Sequence, residues 1–259
     1  MKLSKHFYIT IFFLLAIATC ALWQQPFYTY ITLTLIYLGI TSWGVFDVRL
    51  SYFVKTQYFL KQRPTKTIVL TFDDGPFELT PQFLDLLQRY DAKAIFFCIG
   101  EQVQKYSEII RRMQAEGHLI GNHTFSHQPK NLFSTQKLIN EINHTDEALA
   151  QLGIHTHLFR PPYGITNPKL AKAIRTTGKK TIGWDIRSLD TIIKDEDQLF
   201  NRIVRKLTHG NIILLHDKHL HTLRVLERLL QYLKENNYTI TNHIEWKNCW
   251  YFLASVAVI

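Results

Sequence analysis

The run Thr67-Ile68-Val69-Leu70-Thr71-Phe72-Asp73-Asp74-Gly75-Pro76 decides the fold. Its first six residues, β-branched or apolar, read as a strand buried on both faces, and the two carboxylates with Gly and Pro end it. In α/β folds the carboxyl ends of strands are where catalytic groups gather. Gly75 and Pro76 interrupt the pleat, so neighbouring side chains can be aimed at one site instead of alternating across a sheet. Taken alone, the same four residues also suit a solvated turn.

Working outward, further short apolar runs at 94–99, 118–120, 157–159, 180–184, 211–216 and 238–240 read as strands. Between them, helical spacing of apolar residues predicts helices over 81–90, 101–115, 135–152, 197–207 and 223–235, the first begun by Thr80 as cap with Pro81 in its opening turn. Strands alternating with helices imply an α/β fold with a mainly parallel sheet. The length suits a compact, incomplete α/β barrel of about seven strands. With 259 residues, one such body plus an N-terminal appendage fits the chain.

Residues 7–23 carry no charge and follow Lys2 and Lys5, as a signal sequence or membrane anchor does. After Gln24, Gln25 and Pro26, a second uncharged stretch over 27–46 is as long as a spanning helix requires. Region 1–46 is therefore expected to attach the protein to a membrane, 47–66 to be a basic connector, 67–244 the catalytic body and 245–259 an apolar tail. A single span with Lys2 and Lys5 inside would put the body outside the cytoplasm, and Gln24, Gln25 and Pro26 make a very tight turn for two spans. Two spans would return it, and Arg49, Lys55, Lys61, Arg63 and Lys66 support that arrangement. The expectation adopted is an extracytoplasmic body. The formal charge of +9 suits an acidic polymer or anionic membrane, but no run of Lys and Arg interleaved with aromatics points to nucleic acid. No obligate protein partner is evident. The cysteines, Cys20, Cys98 and Cys249, show neither disulfide nor thiolate-metal spacing, and Cys98 reads as a core residue.

A second polar cluster follows an apolar run at Gly121-Asn122-His123-Thr124-Phe125-Ser126-His127. On a helical turn the two imidazoles would share one face and could grip a metal. With 12 His in the chain such a pair arises by chance often enough to need a third ligand. Arg160-Pro161-Pro162-Tyr163-Gly164 and His216-Asp217 also end apolar runs, whereas His155, His157, His219 and His221 read as ordinary strand or surface residues.

Taken together, these segments resemble the polysaccharide deacetylases of carbohydrate esterase family four, the NodB homology domain, whose fold is a distorted β/α barrel. The motifs, in family order, are TFDDGP at 71–76, HTFSH at 123–127, RPPYG at 160–164, WDIRSLD at 184–190 and ILLHD at 213–217. The resemblance implies that Asp74, His123 and His127 bind one divalent metal, usually Zn²⁺. It further implies Asp73 as general base held by Arg160, and His216 as general acid supported by Asp190. Tyr163 would offer a backbone N–H to the oxyanion, and Leu215 would line the acetyl pocket. Thr191 stands where the family often has Trp. The implied activity is hydrolysis of acetyl groups, N-acetyl groups of N-acetylglucosamine units in peptidoglycan or a chitin-like glycan foremost. An inert carbohydrate-binding barrel and a metal phosphoesterase are the alternatives.

Overall fold

A computed structural model describes residues 4–60 and 66–244 of the chain, so part of the connector and the whole apolar tail lie outside the described residues. The body is an α/β barrel of parallel strands wrapped by helices. Its strands are β1 (Thr56–Gln57), β2 (Thr67–Asp73), β3 (Ile95–Cys98), β4 (Leu119–Asn122), β5 (Leu158–Phe159), β6 (Lys180–Ile182), β7 (Ile186–Arg187), β8 (Ile212–His216) and β9 (Thr239–Ile240). They pair in the order β1-β6-β5-β4-β3-β2-β8-β7, with β9 beside β2. All seven expected strands are present; β1 and β7 are additional.

Those two short strands make the barrel distorted. β6 pairs with β5, but after residues 183–185 the chain changes neighbours, and β7 pairs with β8. The seam this opens is filled by the segment expected to be a connector. β1 runs parallel to β6, Gly183 donates its N–H to the Gln57 carbonyl at 2.8 Å, and Leu60 donates to Gly210 at 2.8 Å. Tyr52, Phe53, Val54 and Leu60 are buried there. Neither β1 nor β7 is among the expected strands, because β1 lies in the basic segment over 47–66 and β7 follows directly on the strand expected over 180–184.

The core follows the period of two. Ile68, Leu70 and Phe72 of β2 and Ile213 and Leu215 of β8 face the helices. Val69, Ile95, Phe97, Ile182 and Ile212 fill the barrel interior. Cys98 is a buried core residue, as expected. Asp73 and His216 continue the interior rows, so both emerge at the mouth of the barrel.

The helices of the body are α3 (Thr80–Arg89), α4 (Gly100–Lys105), α5 (Ser107–Ala115), α6 (Thr135–Ala150), α7 (Pro168–Thr177), α8 (Glu196–Val204) and α9 (Leu220–Glu235); they follow two N-terminal helices, α1 (Lys5–Leu22) and α2 (Phe27–Phe46). The single helix expected over 101–115 is broken at Tyr106, whose backbone leaves the helical region. Thr80 is not the cap of α3: it lies inside the helix, where its hydroxyl accepts from the Phe77 N–H at 2.7 Å and donates to Asp217.

α1 and α2 are about 27 and 30 Å long at ~1.5 Å per residue, enough to cross a hydrocarbon layer of about 30 Å. They lie against each other, with Thr10 bonded to the Tyr37 hydroxyl at 3.0 Å and Phe13 packed on the Tyr37 ring. Most of both surfaces is exposed, and the pair is rooted on the body at its charged end. There His6 donates its N–H to Tyr52 at 3.1 Å, and the ring of Tyr52 fills the space beside Gly44, where a Cβ would sit 2.3 Å from it.

Candidate metal and catalytic centre

Strand β2 delivers Asp73 with its side chain inward, and the next residue would ordinarily point away. Asp74 avoids this by adopting a left-handed backbone, φ 72°, which Asp tolerates better than most residues. Both carboxylates therefore face one cleft. Gly75 is required beside them, since a Cβ there would sit 2.5 Å from the Asp217 carboxylate. Asp217 is fully buried, holds the Thr80 hydroxyl with one oxygen and leaves the other unpaired, and burial pushes it up to about 7.

His123 and His127 follow β4 in an extended loop, not on the helical face expected from their spacing. Left-handed backbone at Thr124 and His127, φ 67° and 53°, folds the loop so that the rings lie 4.8 Å apart. Glu141 of α6 holds it by accepting from the N–H groups of Phe125 and Ser126 at 3.0 and 2.7 Å, while Asn122 accepts from the Thr124 N–H. Non-glycine residues with positive φ recur in the other site loops, at Tyr163 and Leu189. Strain of this kind persists only where surrounding structure enforces it.

Asp74, His123 and His127 form the one group among the described residues whose donor atoms could share a metal ion. Asp74 Oδ1 lies 3.3 Å from His123 Nε2 and 3.4 Å from His127 Nε2. Donors placed ~2.1 Å from a tetrahedral zinc stand roughly 3.4 Å apart, so the spacing fits. The protonation states fit too. His123 Nδ1–H donates to the Arg160 carbonyl at 2.8 Å, which turns Nε2 toward Asp74. Burial, helped by His123, pulls His127 down to about 4 and keeps it neutral. Burial would raise Asp74, but the hydrogen bond and charge of His123, with His127 and His216, outweigh it and hold the carboxylate ionised.

On one side of this triad stands Asp73, whose Oδ1 receives Arg160 Nη1 at 2.7 Å. Arg160 is wholly buried, and every arm of its fork is used: Nη1 also reaches the Thr71 hydroxyl, Nη2 the Gly183 carbonyl and Nε the Ile182 carbonyl, while its plane lies 4.2 Å from the Phe97 ring centre. Burial lowers its pKa, and Asp73 opposes the shift. On the other side His216 Nδ1–H donates to Asp190 at 2.8 Å, turning Nε2 toward Asp74 Oδ2, 3.9 Å away. Asp190 is fully buried and also accepts from the His216 N–H and Ser188 hydroxyl. Burial works against a charged imidazole at His216, but the bond and charge of Asp190, with Asp73 and Asp74, carry it up to about 9. His221, read as ordinary, donates Nε2–H to the Asp190 carbonyl at 2.7 Å.

Asp73, Asp74, His123, His127 and His216 line a cleft of about 220 Å³ with Tyr163, Gly164, Trp184, Arg187, Thr191 and Leu214. Leu215, expected at the acetyl pocket, is absent from it. Alternation along β8 sends Leu215 into the helix-facing core and brings Leu214 to the cleft beside Trp184. Tyr163 covers the His127 ring at 4.6 Å and donates its hydroxyl to the His127 carbonyl at 3.2 Å. The sequence reading gave no role to Glu141, Trp184, Arg187 or Leu214. For Leu214 and Glu141 a signal existed: strand parity with His216, and an acid within the apolar face of α6.

The polysaccharide deacetylase family model matches residues 60–182. A peptidoglycan-N-acetylglucosamine deacetylase of Bacillus cereus is 34% identical over 71% of this chain and 90% of its own length. The peptidoglycan-N-acetylglucosamine deacetylase PgdA of Listeria monocytogenes is 35% identical over 71% of this chain, which spans only 40% of that relative. The solved peptidoglycan deacetylase PdaC of Bacillus subtilis superimposes with a TM-score of 0.63 at 32% identity, covering 68% of this chain and 87% of that one. The fold, the ordered motifs at the barrel mouth and these likenesses together show that the chain belongs to the polysaccharide deacetylase family.

Proposed function

We propose that this protein hydrolyses N-acetyl groups of N-acetylglucosamine units in a cell-envelope glycan, with one divalent ion, zinc foremost, held by Asp74, His123 and His127, and with α1 and α2 as its membrane anchor. The observation that carries this reading is the flanking of a three-donor candidate metal site by the Asp73 carboxylate clamped on Arg160 and the His216 ring clamped on Asp190. Relatives named for peptidoglycan N-acetylglucosamine and N-acetylmuramic acid deacetylation support the substrate class.

A divalent ion bound there would polarise the acetyl carbonyl and acidify a water. The remaining work falls to the chain. Asp73, fixed by Arg160 so that only one oxygen is free, takes the proton of the attacking water. The N–H of Tyr163, which sits on a left-handed turn, donates to the carbonyl oxygen as charge develops. His216 gives its Nε2 proton to the departing nitrogen, an atom that leaves poorly as an anion, while Asp190 keeps Nδ1 protonated. Leu214 and Trp184 offer an apolar wall for the acetyl methyl. A phosphoesterase would ask for a second metal cluster, and among the described residues the donors gather in one group.

The test is acetate release from an N-acetylated chito-oligosaccharide by the full chain, before and after chelation and metal return. Activity that is abolished and then restored supports the reading. No acetate under any loading, or full activity after exhaustive chelation, refutes it.

A further inference from the structure

The anchor helices and the mouth of the cleft meet. α2 ends at Phe46, and Val48, two residues on, packs with Trp184 and Leu214 in the wall of the cleft. Two residues of chain reach at most about 7 Å. Across the root, Thr166, three residues after Tyr163, donates its N–H to the Val45 carbonyl at 3.0 Å and its hydroxyl to Gly44 at 3.2 Å. The catalytic opening therefore lies beside the end of a helix long enough to cross a bilayer.

The exposed apolar residues of the body tell the same story. Beyond Phe46 the large ones among the described residues are Leu119, Phe133, Tyr163, Ile192 and Leu220. All but Leu119 sit on segments that follow the carboxyl ends of strands β4, β5, β7 and β8, the end where the cleft opens. Phe133, Ile192 and Leu220 each have an exposed lysine within three residues, Lys130, Lys194 and Lys218. Apolar tips beside cations are the chemistry of a surface seated on anionic lipid headgroups. Arg187, a further cation, lines the cleft.

Pairing of α1 with α2 also returns the chain to its starting side, so Lys5 and the body share it: Lys5 Nζ donates to the Leu50 carbonyl at 2.8 Å. Arg49, Lys55 and Lys66 follow on the same side. Cations concentrated at one end of a helical hairpin mark the cytoplasmic face, against the extracytoplasmic expectation from a single span. Finished wall polymer is not found there.

We propose that the cleft lies against the cytoplasmic membrane surface and takes a lipid-anchored acetamido-saccharide joined to its lipid through phosphate, a glycan precursor in place of finished polymer. This rests on the deacetylase reading. Arg187 and the rim lysines suit the phosphate, and the anchor holds the sugar at the height of the cleft.

The experiment reconstitutes the full chain into mixed phosphatidylcholine and phosphatidylglycerol vesicles and compares two probes: N-acetylglucosaminyl phospholipid in the same vesicles and a water-soluble chito-oligosaccharide. Confinement to a surface raises effective concentration by about 10²-fold or more, and kcat/KM for the lipid probe should exceed the soluble one accordingly. Phe133→Ser combined with Ile192→Ser should cut the lipid rate about tenfold and leave the soluble rate unchanged. Equal kcat/KM for both probes, or equal losses in the variant, would overturn the proposal while the deacetylase reading stands. Acetate from neither probe would sink the deacetylase reading and the proposal with it. Protease added to intact cells should leave the body uncut; prompt cleavage would overturn its placement on the cytoplasmic side.

Discussion

Replacing Asp190 by Asn removes the carboxylate 2.8 Å from His216 Nδ1 while keeping the shape of the site. In the intact protein that carboxylate is the main force raising His216 from its ordinary 6.5 to about 9, against burial, which lowers it. Without it the imidazole should fall toward its ordinary 6.5, since burial lowers it while Asp73 and Asp74 still raise it. At pH 8 the protonated share then drops from about nine-tenths to about one-thirtieth, roughly a 30-fold loss of the acid form. The sign follows from the role: activity that needs imidazolium persists below the pKa and is lost as pH rises through it. A bound dication lowers the value in both proteins, so the difference between them survives. The assay is kcat/KM for acetate release from pH 5 to 10. The alkaline limb of Asp190→Asn should move acidward by more than one pH unit, with the largest loss above pH 8. An unmoved limb, or equal losses at pH 6 and pH 8, would refute the reasoning and leave Asp190 a merely structural residue.

Asp73→Asn should retain metal by elemental analysis and lose about 10² to 10⁴ in kcat, whereas Asp74→Ala should lose the metal as well. Near-normal turnover in Asp73→Asn would remove the base from the account. Leu215→Ala, in the helix-facing core, should lower stability by about 2 to 5 kcal/mol in denaturant unfolding, with little change in KM at permissive temperature. Leu214→Ala, at the cleft, should instead raise KM for acetylated substrate; reversed effects would contradict the strand parity. The raised His216 also has a stability sign: its contribution is complete below pH 6.5 and fades as pH rises through about 9, so the midpoint of thermal unfolding of metal-free protein should fall across that window, and fall less in Asp190→Asn.

Much of the site was legible because its chemistry sits where strands stop. TFDDGP, RPPYG and ILLHD each follow an apolar run, and chain order alone assigns them to one edge of a parallel sheet. The family resemblance supplied the candidate metal group, but not its local geometry. His123 and His127 are four apart, a spacing that favours a helix in isolation, yet Glu141 and Asn122 from other segments hold them in a left-handed loop. No local pattern carries that information. Leu215 was a one-residue error of face, the error that a period of two makes easy. β1 lies among the lysines, arginines and aromatics of segment 47–66, and β7 follows directly on an expected strand, so the seam segment passed for a connector. α7 was unread although Asn167 caps it, Pro168 opens it and Gly178 closes it in the left-handed conformation.

The central claim is most directly tested by mass spectrometry of an N-acetylated chito-oligosaccharide incubated with the metal-loaded full chain in heavy-oxygen water. The account predicts a saccharide of unchanged length that has exchanged acetamides for free amines, together with acetate carrying one heavy oxygen. An unaltered saccharide, or one shortened at its glycosidic bonds with its acetyl groups intact, would contradict it.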